Sequence, residues 1–537
     1  MKEKMLKQVE LDGDSLSFAA VAAVSRENKK VSLSAKSLSA MKQSRAMLEH
    51  WVDNNEIVYG ITTGFGPFVS TLIPTRFQSE LQYNLIRSHS ANVGPLFSTE
   101  ETRAAMLLRL NAFAKGYSAV RVETAKTLCA LLNKGLHPMV PQWGSVGASG
   151  DLTPSAHIAL AMIGEGYVEY RGKRVKARQA LKAAGIKPIR LMAKEGLALI
   201  NGTTMMTGVA SLQVSDAWNL VKHAELIASL SLQVLYGSLE PFLGRAQLAK
   251  PHPGQIRSAR NMRTLLKGSG LVWNRSKLSK IQKDLQKRIE DGDEVVDSGV
   301  HVQNVYSLRA IPQVLGAVRD AFTYISERVK TEMNSANDNP LFFADLGIAY
   351  QGAHFHGQSV ALPMDVLSIS LTEIGVLSER RLNKMLDPAR NEGLSAFLAG
   401  PKAGLRCGFE GLQYIPTSLI AECRSLCNPV SIQSIPSNGE NQDVVSMGLI
   451  AARKARDIKE KIEYVLAAEL LAACQAFEER DQSRASAPAK TVYELFRSHI
   501  SPYGTDRVLS EDMETVKDLI HQGVLLEALR QKHDIHL

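Results

Sequence analysis

Cysteine is scarce in this chain of 537 residues: there are five, Cys129, Cys407, Cys423, Cys427 and Cys474. So sparse and odd a set excludes a disulfide-stapled scaffold and fits a reducing cytoplasm. Cys423 and Cys427 stand one helical turn apart, but no Cys/His pair at zinc spacing accompanies them, so core packing explains them better than a metal. Long apolar runs are also lacking. No stretch approaches the ~18–20 apolar residues of a membrane span, and the opening MKEKMLKQVELDGD has no signal-peptide core. A cytoplasmic protein with no membrane partner is expected. Charge of one sign is nowhere concentrated, although 63 basic residues against 54 acidic leave a net +9. The densest cationic stretch, Arg453 to Lys461, contains Asp457 and Glu460 and reads as a solvated helix face, not a nucleic-acid patch. Repeats of fixed period and low-complexity tracts are absent. With 45% hydrophobic and 22% charged residues, collagen-like, mucin-like and disordered classes are excluded.

What is present is length and helical periodicity. The chain exceeds the ~250–300 residues at which a single core stops growing. Apolar residues at Ile458, Ile462, Val465, Leu466 and Leu470 predict a long helix within 451–480, and the same spacing recurs in 359–386 and 315–333. Leu226 to Leu235 is apolar almost all round, as in a helix buried on every side. The prediction is a mainly α fold, a long central bundle preceded by a loop-rich N-terminal part. The parts are drawn at 1–200, 201–488 and a C-terminal helical appendix at 489–537. YVEYRGKRV predicts a small hairpin turning at Arg171 and Gly172. Gly/Pro/Ser clusters mark loops at 60–67, 141–154, 434–441 and 481–489.

The most unusual loop is GSVGASGDLTP, Gly144 to Pro154, which leads into the apolar SAHIALAMIG. Asp151 followed by Pro154 is a helix-capping signature and sets the loop at the positive end of a helix dipole. No Gly-Lys-Ser/Thr follows, so it is not a phosphate loop. The glycine two places after the serine is missing, so it is not a hydrolase elbow. Ala148-Ser149-Gly150 does suit one chemistry. The Gly150 nitrogen can attack the Ala148 carbonyl, and loss of water, the Ser149 hydroxyl included, leaves an electrophilic methylidene-imidazolone ring. Small residues are needed for so tight a turn.

In this the chain resembles the aromatic amino-acid lyase and aminomutase family. The motifs stand in order over roughly residues 10–530: VYGITTGFG from Val58, LQYNLIRSHS from Leu81, GASGDL from Gly147 and KEGLALINGT from Lys194. They continue with YSLRAIPQVLG from Tyr306, NSANDNP from Asn334, HFHGQ from His354 and NQDVVSMG from Asn441. The resemblance implies a mostly helical homotetramer, each active site shared between three chains, and a ring formed autocatalytically from Ala148-Ser149-Gly150, with no metal.

The same resemblance implies residue roles. Tyr59 is the base that removes the substrate β-proton, and Gly66 meets the substrate through its backbone. Arg309 grips the carboxylate, a task suited to a bidentate guanidinium that stays charged. Asn201 and Tyr306 position the substrate, while Asn339, Phe355 and Gln442 surround the prosthetic group. His89 and Tyr414 face the aromatic ring; two polar groups meeting one phenol favour L-tyrosine over phenylalanine. Gln442 stands where histidine lyases usually carry glutamate. The activity implied is L-tyrosine to β-tyrosine by elimination and re-addition of ammonia through 4-coumarate, with tyrosine, histidine or phenylalanine ammonia-lyase as the alternative. Two departures, Pro67 after TTGFG and His354 before FHG, bear on the choice between mutase and lyase.

Overall fold

The computed structural model describes residues 8–273, 275–292, 294–295 and 303–537. It is mainly α-helical, and its longest helices are Thr204–Val234, Ile311–Met333, Gln358–Leu386 and Gly448–Phe477. Thr204–Val234 is buried on nearly every side, whereas Ile311–Met333 keeps an exposed face. Ile458, Ile462, Val465, Leu466 and Leu470 are at most 1% exposed, and so are Leu226, Ile227, Ala228, Leu230 and Leu232. Two compact units interleave along the sequence, one of Met1–Ser215, Tyr324–Val366 and Asn428–Arg456, the other of Asp216–Thr323, Leu367–Cys427 and Asp457–Leu537. The parts 1–200, 201–488 and 489–537 are a different partition, drawn from composition alone.

The first unit carries short strands between helices. Gln8–Leu11 pairs in parallel with Lys30–Leu33, and the hairpin Tyr167–Tyr170 and Lys173–Lys176 forms where the sequence predicts it, extended by Leu136–Pro138. Among the described residues up to Ile200 there are eight α-helices, with glycine-rich loops between some of them. Thr99–Ala114 begins at a capping box in which Ser98 and Glu101 satisfy each other's amides, so its start is fixed locally.

In the second unit a charged pair lies fully buried between helices. Arg381 holds both carboxylate oxygens of Glu469, at 2.5 and 2.8 Å, and the Ser231 hydroxyl donates to the same carboxylate at 2.6 Å. Removing one partner of such a buried pair costs about 3–5 kcal/mol. The C-terminal helices Ala487–Arg497, Ser510–His521 and Val524–His533 close the chain, the first capped by the Ser486 hydroxyl.

Two expectations are corrected. One helix, Gln358–Leu386, is long and apolar enough to cross a membrane, with a mean hydropathy of 1.6, but 72% of that window is buried inside the protein. The segment Arg453 to Lys461 is not a solvated face. Lys459 is buried and lies 3.3 Å from Glu463, and Arg456 lies 3.0 Å from Glu101. The Arg456 partner comes from a distant part of the chain, which charge counting along one segment cannot reveal.

Candidate active site

The GASGD loop leaves the strand Pro141–Trp143 and enters the helix Leu152–Met162. That helix packs against Gln78–His89 and Glu195–Ile200, and those two also pack on each other. His89, the tripeptide and Asn201 are thereby carried on three mutually packed elements. Fully buried Gln82 adds a tie: its amide donates to the Gly60 carbonyl at 3.2 Å and accepts from the Leu197 amide at 2.9 Å.

Around the tripeptide the backbone is held on both sides. Gly150 pairs with Gly202; the Gly202 amide donates to the Ser149 carbonyl at 3.1 Å and the Asp151 amide to the Gly202 carbonyl at 2.8 Å. Gly150 sits at φ +69°, and a Cβ there would lie 2.1 Å from the Gly202 carbonyl carbon, so no larger residue fits. Upstream, the Ser446 hydroxyl donates to the Gly147 carbonyl at 3.0 Å.

Asp151 precedes the helix as expected, but its side chain does not cap it. The carboxylate instead accepts from the Met206 amide at 2.6 Å, in the first turn of Thr204–Val234, and from the Ser145 hydroxyl at 2.9 Å. Full burial pushes its pKa up to about 7, against the opposing pull of these donors and of the Arg109 charge. A capping signature is local, and the donor that claims this carboxylate is 55 residues away in sequence.

A cavity of ≈ 490 Å³ opens on one side of the tripeptide, lined among others by Tyr59, Gly66, Ala148, Ser149, Asn201, Asn339, Phe355 and Gln442. The Gly66 amide donates to the Tyr59 phenolic oxygen at 3.1 Å, and the Phe65 ring stands edge-on to Tyr59 at 6.4 Å. The Asn201 amide lies 3.5 Å from the Ser149 carbonyl oxygen, while its own Oδ1 is buried with no protein partner. Asn339 accepts from the Gly352 amide at 2.8 Å. Gln442 accepts from the Ser437 hydroxyl at 3.0 Å, which leaves its Nε2 to donate to Ser149 Oγ at 3.1 Å.

A second cavity of ≈ 210 Å³ is lined by His89, the 144–150 loop, Leu152, Thr153, Ser437, Asn438 and Gln442. His89 Nδ1 lies 2.9 Å from the Leu85 carbonyl, which can only accept. The hydrogen is therefore assigned to Nδ1, and a neutral ring offers Nε2 as an acceptor. Burial lowers the His89 pKa and favours that neutral form.

Tyr306, Arg309 and Tyr414 line neither cavity. Tyr306 is 72% exposed with the Arg309 guanidinium 4.6 Å above its ring, and Arg309 donates to Gln303 at 2.7 Å. Tyr414 is 64% exposed, its hydroxyl 3.4 Å from Glu410. The cavities also include residues that motif reading passed over, notably His356, Asp443 and Asn438. His356 and Asp443 stand beside Phe355 and Gln442 in the quoted motifs, so adjacency was the available signal.

Residues 16–498 match the aromatic amino acid lyase family. A MIO-dependent tyrosine 2,3-aminomutase of Streptomyces globisporus is 45% identical over 100% of this chain and 99% of its own length. A tyrosine ammonia-lyase of Cupriavidus metallidurans is 47% identical over 97% of each chain. The crystal structure of a tyrosine aminomutase from Streptomyces globisporus superposes with a TM-score of 0.94 at 44% identity, covering 99% of this chain and 100% of that one. On sequence and fold together, the chain belongs to the aromatic amino acid lyase family.

Proposed function

We propose that the protein is a tyrosine 2,3-aminomutase, converting L-tyrosine to β-tyrosine and releasing some 4-coumarate and ammonia. The observation that carries the substrate is the position of His89, whose ring lines a cavity bounded by Ala148 and Ser149. Its free Nε2 suits a phenol O–H, and phenylalanine would leave that acceptor unpaired. The prosthetic group is the methylidene-imidazolone (MIO) ring derived from Ala148-Ser149-Gly150. The tripeptide fits it: Gly150 has no room for a side chain, and Ala148 and Ser149 border both cavities. When formed, the ring supplies an electrophile that makes the substrate amine a leaving group.

The chain's own residues supply the rest. A phenol with a pKa of ~10 is a poor base at neutral pH unless its anion is stabilised. The Gly66 amide donates to the Tyr59 oxygen and orients it toward the cavity from which Tyr59 takes the β-proton. Arg309 binds the substrate carboxylate, and Tyr414 adds a contact to the phenol. Together with Tyr306 they come from neighbouring chains of a cytoplasmic homotetramer, which accounts for their exposure and their place outside both cavities. Re-addition of the amine at the β carbon requires the 4-coumarate to stay bound, a matter of cavity closure.

The second reading is a tyrosine ammonia-lyase without mutase activity, favoured by the 47% identity to the lyase of Cupriavidus metallidurans. Competition between equimolar tyrosine, phenylalanine and histidine tests the substrate. Tyrosine is consumed at least about tenfold faster; urocanate as the main product would overturn the assignment.

A further inference from the structure

Three protein hydrogen bonds converge on Ser149, and they fall on two different oxygens. Its carbonyl oxygen receives the Gly202 amide at 3.1 Å and the Asn201 side-chain amide at 3.5 Å. Its hydroxyl oxygen receives the Gln442 amide at 3.1 Å. None of these is needed to fold a tight turn. All three fit the elimination of water across the Cα–Cβ bond of a serine.

We propose that Asn201, Gly202 and Gln442 form a dehydration site for Ser149, with Gln442 as a catalytic residue of ring maturation. The inference rests on the reading that Ala148-Ser149-Gly150 becomes the prosthetic ring. In the first stage the Gly150 nitrogen bonds to the Ala148 carbonyl carbon. That carbonyl oxygen leaves as water with the amide hydrogens of Gly150 and Ser149. In the second stage the Ser149 Cα–H electron pair becomes the Cα=Cβ bond, and the Cβ–O pair departs with the hydroxyl oxygen. The departing oxygen ends as a second water with the Cα proton.

Each donor sits where charge develops in this second stage. As the Cα–H bond breaks, negative charge spreads onto the Ser149 carbonyl oxygen, where Gly202 and Asn201 donate; preorganised donors of this kind are each worth about 10²–10³ in rate. The Cβ–O bond places charge on Oγ, where Gln442 donates. With the Ser437 hydroxyl on Oε1, the Gln442 amide presents Nε2 to the serine. A glutamate at this position would donate only while protonated.

The test is the intact mass of the full-length chain, followed over time after a synthesis pulse, for the wild type, Gln442→Leu and Gln442→Glu. The wild type loses two waters. Gln442→Leu accumulates a folded species one water lighter, with fragmentation placing the remaining oxygen on the Ser149 side chain, and its second loss is at least about tenfold slower. Gln442→Glu keeps the size of the side chain, and its second loss slows as the pH rises and the carboxyl ionises. Two-water loss at wild-type rate in both variants would overturn the proposal. So would a Gln442→Leu chain of native fold that loses no water, since Gln442 would then act at ring closure. An unmodified wild-type mass would instead sink the ring reading itself.

Discussion

The Gly66 amide donates to the phenolic oxygen of Tyr59 at 3.1 Å, across a turn in which Gly66 adopts φ +54°. A Cβ on Gly66 would lie 2.4 Å from the Asn438 side-chain nitrogen and at a φ that side chains rarely adopt, so a larger residue there must displace Asn438 and strain the turn that aims this donor. Tyr59→Phe removes the base and lowers kcat by about 10²–10⁴ while the protein keeps its two-water mass deficit. Gly66→Ala lowers kcat as well, because the strained turn no longer holds the amide on the phenolic oxygen. Steady-state kinetics beside intact mass check both; an unchanged kcat in Gly66→Ala would contradict the role given to the amide.

In the proposed assignment His89 couples substrate choice to pH. Burial lowers its pKa from the ordinary histidine value, which favours the neutral imidazole and moves its protonation to lower pH. Protonation removes the Nε2 acceptor. KM for tyrosine therefore rises on acidification while KM for phenylalanine stays level over the same range. His89→Phe abolishes this difference and shifts kcat/KM toward phenylalanine by about tenfold or more. A substrate ratio unchanged by the substitution would remove His89 from the selectivity account.

The tripeptide itself tolerates little. Ser149→Ala retains the fold and loses activity, because no hydroxyl is left to depart. Gly150→Ala places a methyl group 2.1 Å from the Gly202 carbonyl carbon at a positive φ, so the turn must open. The purified Gly150→Ala chain lacks the two-water deficit even where circular dichroism is native. A mature mass in this variant would contradict the packing argument.

The sequence motifs named Tyr59, His89, Ala148, Ser149, Gly150, Asn201, Asn339, Phe355 and Gln442, and the structure brings all of them to two cavities that share Ala148, Ser149 and Gln442. Helical periodicity located three of the long helices, Ile311–Met333, Gln358–Leu386 and Gly448–Phe477, to within a few residues, but only the last third of Thr204–Val234, whose burial on nearly every side leaves no polar face to mark its start. What was not legible depends on partners distant in the chain. The capping reading of Asp151 failed because the carboxylate finds Met206, and Arg456 was read as solvated although its partner Glu101 lies far away in sequence. Gln82 stood in a quoted motif, yet its role as a tie between Gly60 and Leu197 exists only once three segments are folded together. Tyr306, Arg309 and Tyr414 lie outside both cavities, and the proposed sharing of the site between chains is the reading that would bring them in.

Product analysis separates the two chemistries most directly. Purified protein incubated with L-tyrosine, followed by proton NMR, yields β-tyrosine as the main early product with 4-coumarate as a minor one. Accumulation of 4-coumarate and ammonia with no β-tyrosine at any time would contradict the mutase assignment and leave the lyase.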